Sequence, residues 1–142
     1  MRAALVLGSG FAFLGVALGA FGAHALRGRL APEMLAIYQT GVQYQMFHAL
    51  GLVLIGAVAD RLDAARLVAW ATGLLASGVL LFSGSLYALA WTGARGLGAV
   101  TPLGGVCFLL GWLLLAIAAV RQPGEPARER SGAASRTRRG SA

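Results

Sequence analysis

The sequence predicts an all-α fold: an integral membrane four-helix bundle with short loops and a disordered basic C-terminal tail. Three observations carry that expectation. Four stretches, Ala3–Leu26, Met34–Ala59, Leu67–Ala94 and Gly96–Val120, lack Asp, Glu, Lys and Arg and hold 103 of the 142 residues. Each is 24 to 28 residues long, and about 20 apolar residues in a helix cross ~30 Å of hydrocarbon. Composition agrees, with 58% hydrophobic and 12% charged residues, against about 25% charged in a soluble domain. A single membrane domain, residues 1–121, is expected, followed by a tail at 122–142.

The first helix is expected at about 3–26. Gly15, Gly19 and Ala23 recur every fourth residue. Residues four apart share a helix face, so they form a smooth strip that another backbone can approach closely. Met1-Arg2 before an apolar run, with Ala23-His24-Ala25 after it, has the outline of a signal peptide. The run is about twenty residues, against ~7–15 for a signal h-region, so a retained helix is expected.

The second helix, about 33–59, opens at Pro32-Glu33. Proline's missing N–H is harmless in a first turn, and a carboxylate favours the positive helix end. Gln39 and Gln43 share one face near that start, where headgroups solvate them. Tyr38, Gly41, Tyr44, Gln45, His48, Leu52 and Ile55 form a polar and aromatic stripe on the other side. Such a stripe is expected to face the bundle interior.

The third helix, about 67–93, carries Gly73, Ser77, Gly84 and Ala88 as a small-residue face expected to pack inward. Trp70 and Trp91 lie towards its ends, as interfacial aromatics do, and Ser83 and Ser85 place hydroxyls at mid-to-late depth. A tight Gly-rich loop leads to Thr101-Pro102, read as an N-cap and first helical position. The fourth helix is then about 102–120, with Gly104, Gly105 and Gly111 as its close-approach surface. From Gln122 onward Pro, Gly, Ser, Glu and Arg dominate, a composition that cannot bury enough surface to order itself.

The net charge of +7 comes from twelve Arg and no Lys, and Arg121, Arg128, Arg130, Arg136, Arg138 and Arg139 lie at or past the end of the last span. No basic stripe on a folded face and no stacking platform accompany them, which argues against a nucleic-acid partner. The tail is read as a topology and lipid-surface signal. Arg residues divide nine to three between the two sides, so the positive-inside rule places both termini in the cytoplasm, in the cell inner membrane. Cys107 is the only cysteine, and no intramolecular disulfide is possible.

A candidate polar cluster comprises His24, Tyr44, Gln45, His48, Ser83, Ser85 and Tyr87. His48 falls near mid-membrane, where an ionisable group is expensive and marks a functional site by default. No intramembrane carboxylate or Arg partners it, so a structural role bonded to Tyr44, Gln45 or a serine of the third helix is favoured. His24 and His48 differ in depth by roughly 10 Å at 1.5 Å per residue, too far to ligate one metal or haem. No nucleophile–base–carboxylate set, Cys/His metal spacing or phosphate-cradling glycine motif is present. No catalytic residue, metal or cofactor is therefore expected.

Four strings in order carry a resemblance: Gly19-Ala20-Phe21-Gly22-Ala23-His24; Thr40-Gly41-Val42-Gln43-Tyr44-Gln45-Met46-Phe47-His48; Leu81-Phe82-Ser83-Gly84-Ser85-Leu86-Tyr87; and Thr101-Pro102-Leu103-Gly104-Gly105 with Gly111-Trp112. They resemble the domain-of-unknown-function 423 family, which takes in bacterial YgdD-like proteins and eukaryotic transmembrane protein 256. The resemblance runs from about Leu5 to Val120. It implies a four-helix inner-membrane protein of no established activity and brings no catalytic residues. The leading expectation is a non-enzymatic protein acting by self-association or by assembly with another membrane component, its surroundings being the lipid bilayer. The alternative is a small transporter or permeation subunit using the stripe around His48.

Overall fold

The computed structural model describes residues 2–121; the tail expected to be disordered lies outside the described residues. Span one is α1 (Arg2–Phe21) ending in a π-helical turn, Gly22–Leu26. Span two is α2 (Pro32–Val58) with a 3₁₀ turn, Ala59–Arg61. Span three joins α3 (Ala65–Gly78) through a π-helical turn, Val79–Ser83, to α4 (Gly84–Thr92). Span four is a 3₁₀ turn, Arg95–Ala99, leading into α5 (Thr101–Val120). The spans contain 25, 30, 28 and 26 residues. At 1.5 Å per residue the shortest is about 37 Å long, enough to cross ~30 Å of hydrocarbon. This is a four-helix membrane bundle, and no strand occurs among the described residues.

The helix ends follow local chemistry. Pro32 and Glu33 occupy the first turn of α2, where no N–H is lost and a negative charge is favoured. α4 stops at Gly93, whose φ of 68° lies in the left-handed region that only glycine enters without strain. Thr101 departs from expectation. It is the first residue of α5, Val100 holds the cap position, and no side chain caps the helix. Its hydroxyl is drawn instead to Ser85, 2.8 Å away.

The bundle is built from two tight pairs, α1 with α2 and α3 with α5, joined through the contacts of α2 with α4 and with the π turn of span three. The α1 seam uses Ala4, Gly8, Gly15 and Gly22, all buried. Gly8, Gly15 and Gly22 are seven apart, the repeat of a left-handed coiled-coil seam. A Cβ on Gly8 would stand 2.7 Å from the Ala49 carbonyl oxygen, and one on Gly15 2.5 Å from Met46 Sδ. Gly19 lies beside this line, with Val42 Cγ1 3.3 Å from a Cβ built there, and Ala23 is exposed.

On the other pair, Gly111 sits against Leu75, Gly104 against the backbone of Phe82, and Gly78 against Phe108. Gly105 faces outward with open space around it, since successive residues on a helix point about 100° apart. Gly73 and Gly84 also have open space where a Cβ would stand, and Ser77 is exposed. Gly73 and Ser77 therefore point away from the bundle, not inward as expected, while Gly84 and half-buried Ala88 line an open groove towards Leu18 and Phe21 of span one. Ala71, Leu75, Ala76, Gly78 and Val79 take the inner positions. Both faces of this helix are apolar, so in lipid no hydrophobic gradient selects one for the interior.

Candidate functional site

α2 is the central helix, and its buried line, Tyr38, Gly41, Gln45, His48, Leu52 and Ile55, runs down the middle of the protein. Tyr44 belongs to the same stripe in sequence but remains 39% exposed. In hydrocarbon a buried polar side chain must find partners within the protein. Most of these do, and glycines make the approaches possible.

Gln45, 4% exposed, is tied at both ends. Its Nε2 donates to the Phe11 carbonyl of α1 at 2.8 Å, and its Oε1 accepts from the Tyr87 hydroxyl of α4 at 2.9 Å. One side chain thus bolts three spans together. Gly15 leaves room beside the Phe11 carbonyl: a Cβ there would be 3.5 Å from Gln45 Nε2. Gly41 does the same for Tyr87, whose Cε1 would be 2.8 Å from an added Cβ. Tyr38 repeats the device one level nearer the Pro32 end. Its hydroxyl donates to the Leu18 carbonyl at 2.8 Å, across Gly22, and its ring lies 5.0 Å from that of Tyr87.

His48, 7% exposed, contacts the backbone of its own helix. Its Nδ1 lies 2.7 Å from the Tyr44 carbonyl oxygen. A carbonyl can only accept, so Nδ1 carries a proton, and in the neutral ring Nε2 keeps a lone pair. The imidazole stacks face to face on Phe108 of α5, centroids 3.4 Å apart and planes 10° apart, with Trp112 6.1 Å away. Tyr44 stacks on Phe82 at 4.5 Å, and Trp112 rests over Gly51. His48, Tyr44, Phe82, Phe108 and Trp112 form one aromatic layer joining spans two, three and four.

The serines of span three have separate fates. Ser85 Oγ donates to the Phe82 carbonyl at 2.9 Å, so its 2.8 Å contact with Thr101 has the threonine as donor. This relay ties α4 to the start of α5. Ser83 Oγ, in the π turn, is fully buried and is the one such side-chain atom without a partner among the described residues. Neither serine bonds to His48. His24 stands apart from the whole cluster, exposed in the π turn of span one with Nδ1 2.9 Å from the Ala20 carbonyl oxygen.

Tyr44, Gln45, His48 and Tyr87 are therefore brought together, Ser83 and Ser85 flank them on the third span, and His24 is elsewhere. Sequence reasoning missed Phe108 and Trp112 as the partners of His48. It also missed Gly22 on the seam, although its seven-residue spacing with Gly15 and Gly8 was there to be read. No carboxylate enters the site, and no group of three or more His, Cys, Asp or Glu converges as for a metal among the described residues. Chemically the arrangement can clamp helices; it presents no nucleophile paired with a base.

The strings that line this core lie within a family match. The model of the family described as Protein of unknown function (DUF423) matches residues 18–105. The chain belongs to this family. It is 47% identical over 121 residues to the UPF0382 membrane protein YwdK of Bacillus subtilis (strain 168), covering 85% of this chain and 98% of that one. It is 45% identical over 124 residues to the UPF0382 membrane protein SERP0230 of Staphylococcus epidermidis, covering 87% of this chain and all of that one. No solved structure matches it. The relatives' names agree with the four spans: this is a membrane protein of a family whose function is unknown.

Proposed function

We propose that this is a non-enzymatic component of the cell inner membrane, both termini cytoplasmic, that works by lateral association with itself or with another membrane protein. The observation that carries this reading is the outward face of span three. Gly73 and Ser77 lie on it and exposed Gly84 stands further along the span, with open space at both glycines, and Ser77 makes no hydrogen bond among the described residues. Small residues let a second helix come close, and a hydroxyl in lipid gains from a partner across such a contact. The interior supports the same reading, since Gln45, Tyr38 and Tyr87 are committed to bonds between spans.

Disulfide crosslinking in native membranes tests it, using Ser77→Cys in a Cys107→Ser background. A crosslinked dimer or hetero-adduct is expected from Ser77→Cys and none from a cysteine at Phe47, on the exposed face of α2. Monomer alone at every expression level defeats the proposal.

A second reading, a permeation subunit, draws on Ser83 Oγ, fully buried without a partner, and on His48 Nε2, which makes no hydrogen bond among the described residues. It requires a pH-dependent flux in liposomes that His48→Phe abolishes. Flux unchanged by that substitution removes it.

A further inference from the structure

On the outer side of the α1–α2 pair, near the Pro32 end, a groove of about 250 Å³ runs between the helices. Gly19, Gly22 and Ala23 line it from span one, and Tyr38, Gln39, Val42 and Gln43 from α2. Gly22 and Ala23 stand level with Tyr38 and Gln39 at its surface end, and Gly19 stands level with Val42 and Gln43 at its deeper end. Gln39 and Gln43 are exposed, and neither makes a hydrogen bond among the described residues. Above the groove, the turn that joins the two helices carries Arg27 and Arg29, both exposed and without a carboxylate partner among the described residues.

Depth decides what this groove fits. Gln39 and Gln43 lie about 10 and 16 Å along α2 from Pro32 at 1.5 Å per residue. Span two, with 30 residues, is about 45 Å long and overhangs ~30 Å of hydrocarbon by about 7 Å at each end when centred. Gln39 then lies about 3 Å, and Gln43 about 9 Å, inside the boundary. Side chains on a helix lean towards its N-terminus, which here is the near membrane surface, so both amides are lifted towards the boundary. An unpaired amide at that depth costs free energy that a hydrogen-bonding partner offsets. Ester oxygens occupy this level, hydrocarbon lies below it, and phosphate lies above it beside two guanidinium groups.

We propose that this groove binds one anionic glycerophospholipid from the leaflet at the Pro32 end. The glycerol backbone lies against Gly22 and Ala23, an acyl chain descends past Gly19 and Val42, Gln39 and Gln43 donate to the ester oxygens, and Arg27 and Arg29 neutralise the phosphate. The guanidinium pair supplies the preference for an anionic headgroup, at about 1 kcal/mol for each basic residue near a lipid surface.

Native mass spectrometry of the full chain, released from mixed phosphatidylglycerol and phosphatidylcholine vesicles, tests this. One retained phosphatidylglycerol is expected on the unaltered protein. The double variant Arg27→Gln/Arg29→Gln is expected to lose preference for phosphatidylglycerol over phosphatidylcholine by about thirty-fold. Gln43→Leu is expected to reduce retention of both lipids, as is Ala23→Phe, which fills the groove from an exposed position. Arg95→Gln, in the other loop at this end of the bundle, is expected to leave binding unchanged. Circular dichroism and elution profiles matching the parent show that the variants are folded. The proposal fails if the double variant keeps its preference, if Arg95→Gln lowers retention equally, or if glycerol phosphate without acyl chains competes the lipid away.

Discussion

Where α1 meets α2, side chains of the second helix hydrogen-bond onto carbonyls of the first, at Phe11 and Leu18. Where α3 meets α5, no such bond occurs among the described residues, and the contact is Leu75 on Gly111 or Phe108 on Gly78. Lipid removes the usual hydrophobic drive between helices, leaving close packing and interhelical hydrogen bonds. The two pairs divide these resources. In both carbonyl contacts the residue four positions further on is glycine, Gly15 after Phe11 and Gly22 after Leu18. That residue stands next above the carbonyl on the same helix face, so a side chain there would block the approach. Glycine thus serves polar access as well as close fit in one pair, where Gly8 lies against the backbone of Ala49, and close fit alone in the other.

Added bulk probes the steric pair, which has no interhelical hydrogen bond to hold it among the described residues. Gly104→Ala places a Cβ against the backbone of Phe82, which cannot swing aside, and is expected to lower unfolding free energy in detergent by about 2–3 kcal/mol. Gly105→Ala, one residue away in open space, is expected to change it by under ~1 kcal/mol and in the stabilising direction, since alanine is the better helix former. Equal effects at the two positions would dissolve the distinction between inner and outer glycines.

His48→Ala removes the ring that joins the two pairs through Phe108 and Trp112. A loss of about 2 kcal/mol is expected in the same assay. Unchanged stability with an altered membrane phenotype would move His48 from packing to function.

The polar pair should respond more gently. Gln45→Leu breaks two interhelical bonds and is expected to cost about 1 kcal/mol, since such bonds average ~0.6 kcal/mol in membrane proteins. Tyr38→Phe breaks one, with an expected loss of about 0.6 kcal/mol. A Tyr38→Phe effect exceeding that of Gly104→Ala would reverse the ranking of the two pairs.

Much of the site was legible on α2 and little of it elsewhere. The stripe from Tyr38 to Ile55 alternates polar and aromatic residues at helical spacing, and a polar stripe in lipid has one economical direction to face. Span three offered no such cue. Gly73, Ser77 and Gly84 among the exposed positions and Ala71, Ala76 and Gly78 among the inner ones are equally small and, apart from the Ser77 hydroxyl, equally apolar, and the bundle buries the second set. Tyr44 was misplaced for a related reason: it sits at the edge of the stripe, and its ring finds Phe82 while staying 39% exposed. The partners of His48 come from α5, more than fifty positions along the chain, a distance over which spacing rules carry no information.

Chain chemistry alone set the number of helices, their lengths and the placement of charge in the turns, because hydrocarbon tolerates neither unpaired backbone nor ionised side chains. Only the folded arrangement decided which glycines lie under a neighbour, that Thr101 serves Ser85 and not the helix end, and that Gln45 reaches a carbonyl thirty-four residues away. Solvent acts on each segment separately and so can be read from each segment. Packing acts between segments whose faces are chemically alike, and shape then chooses among them.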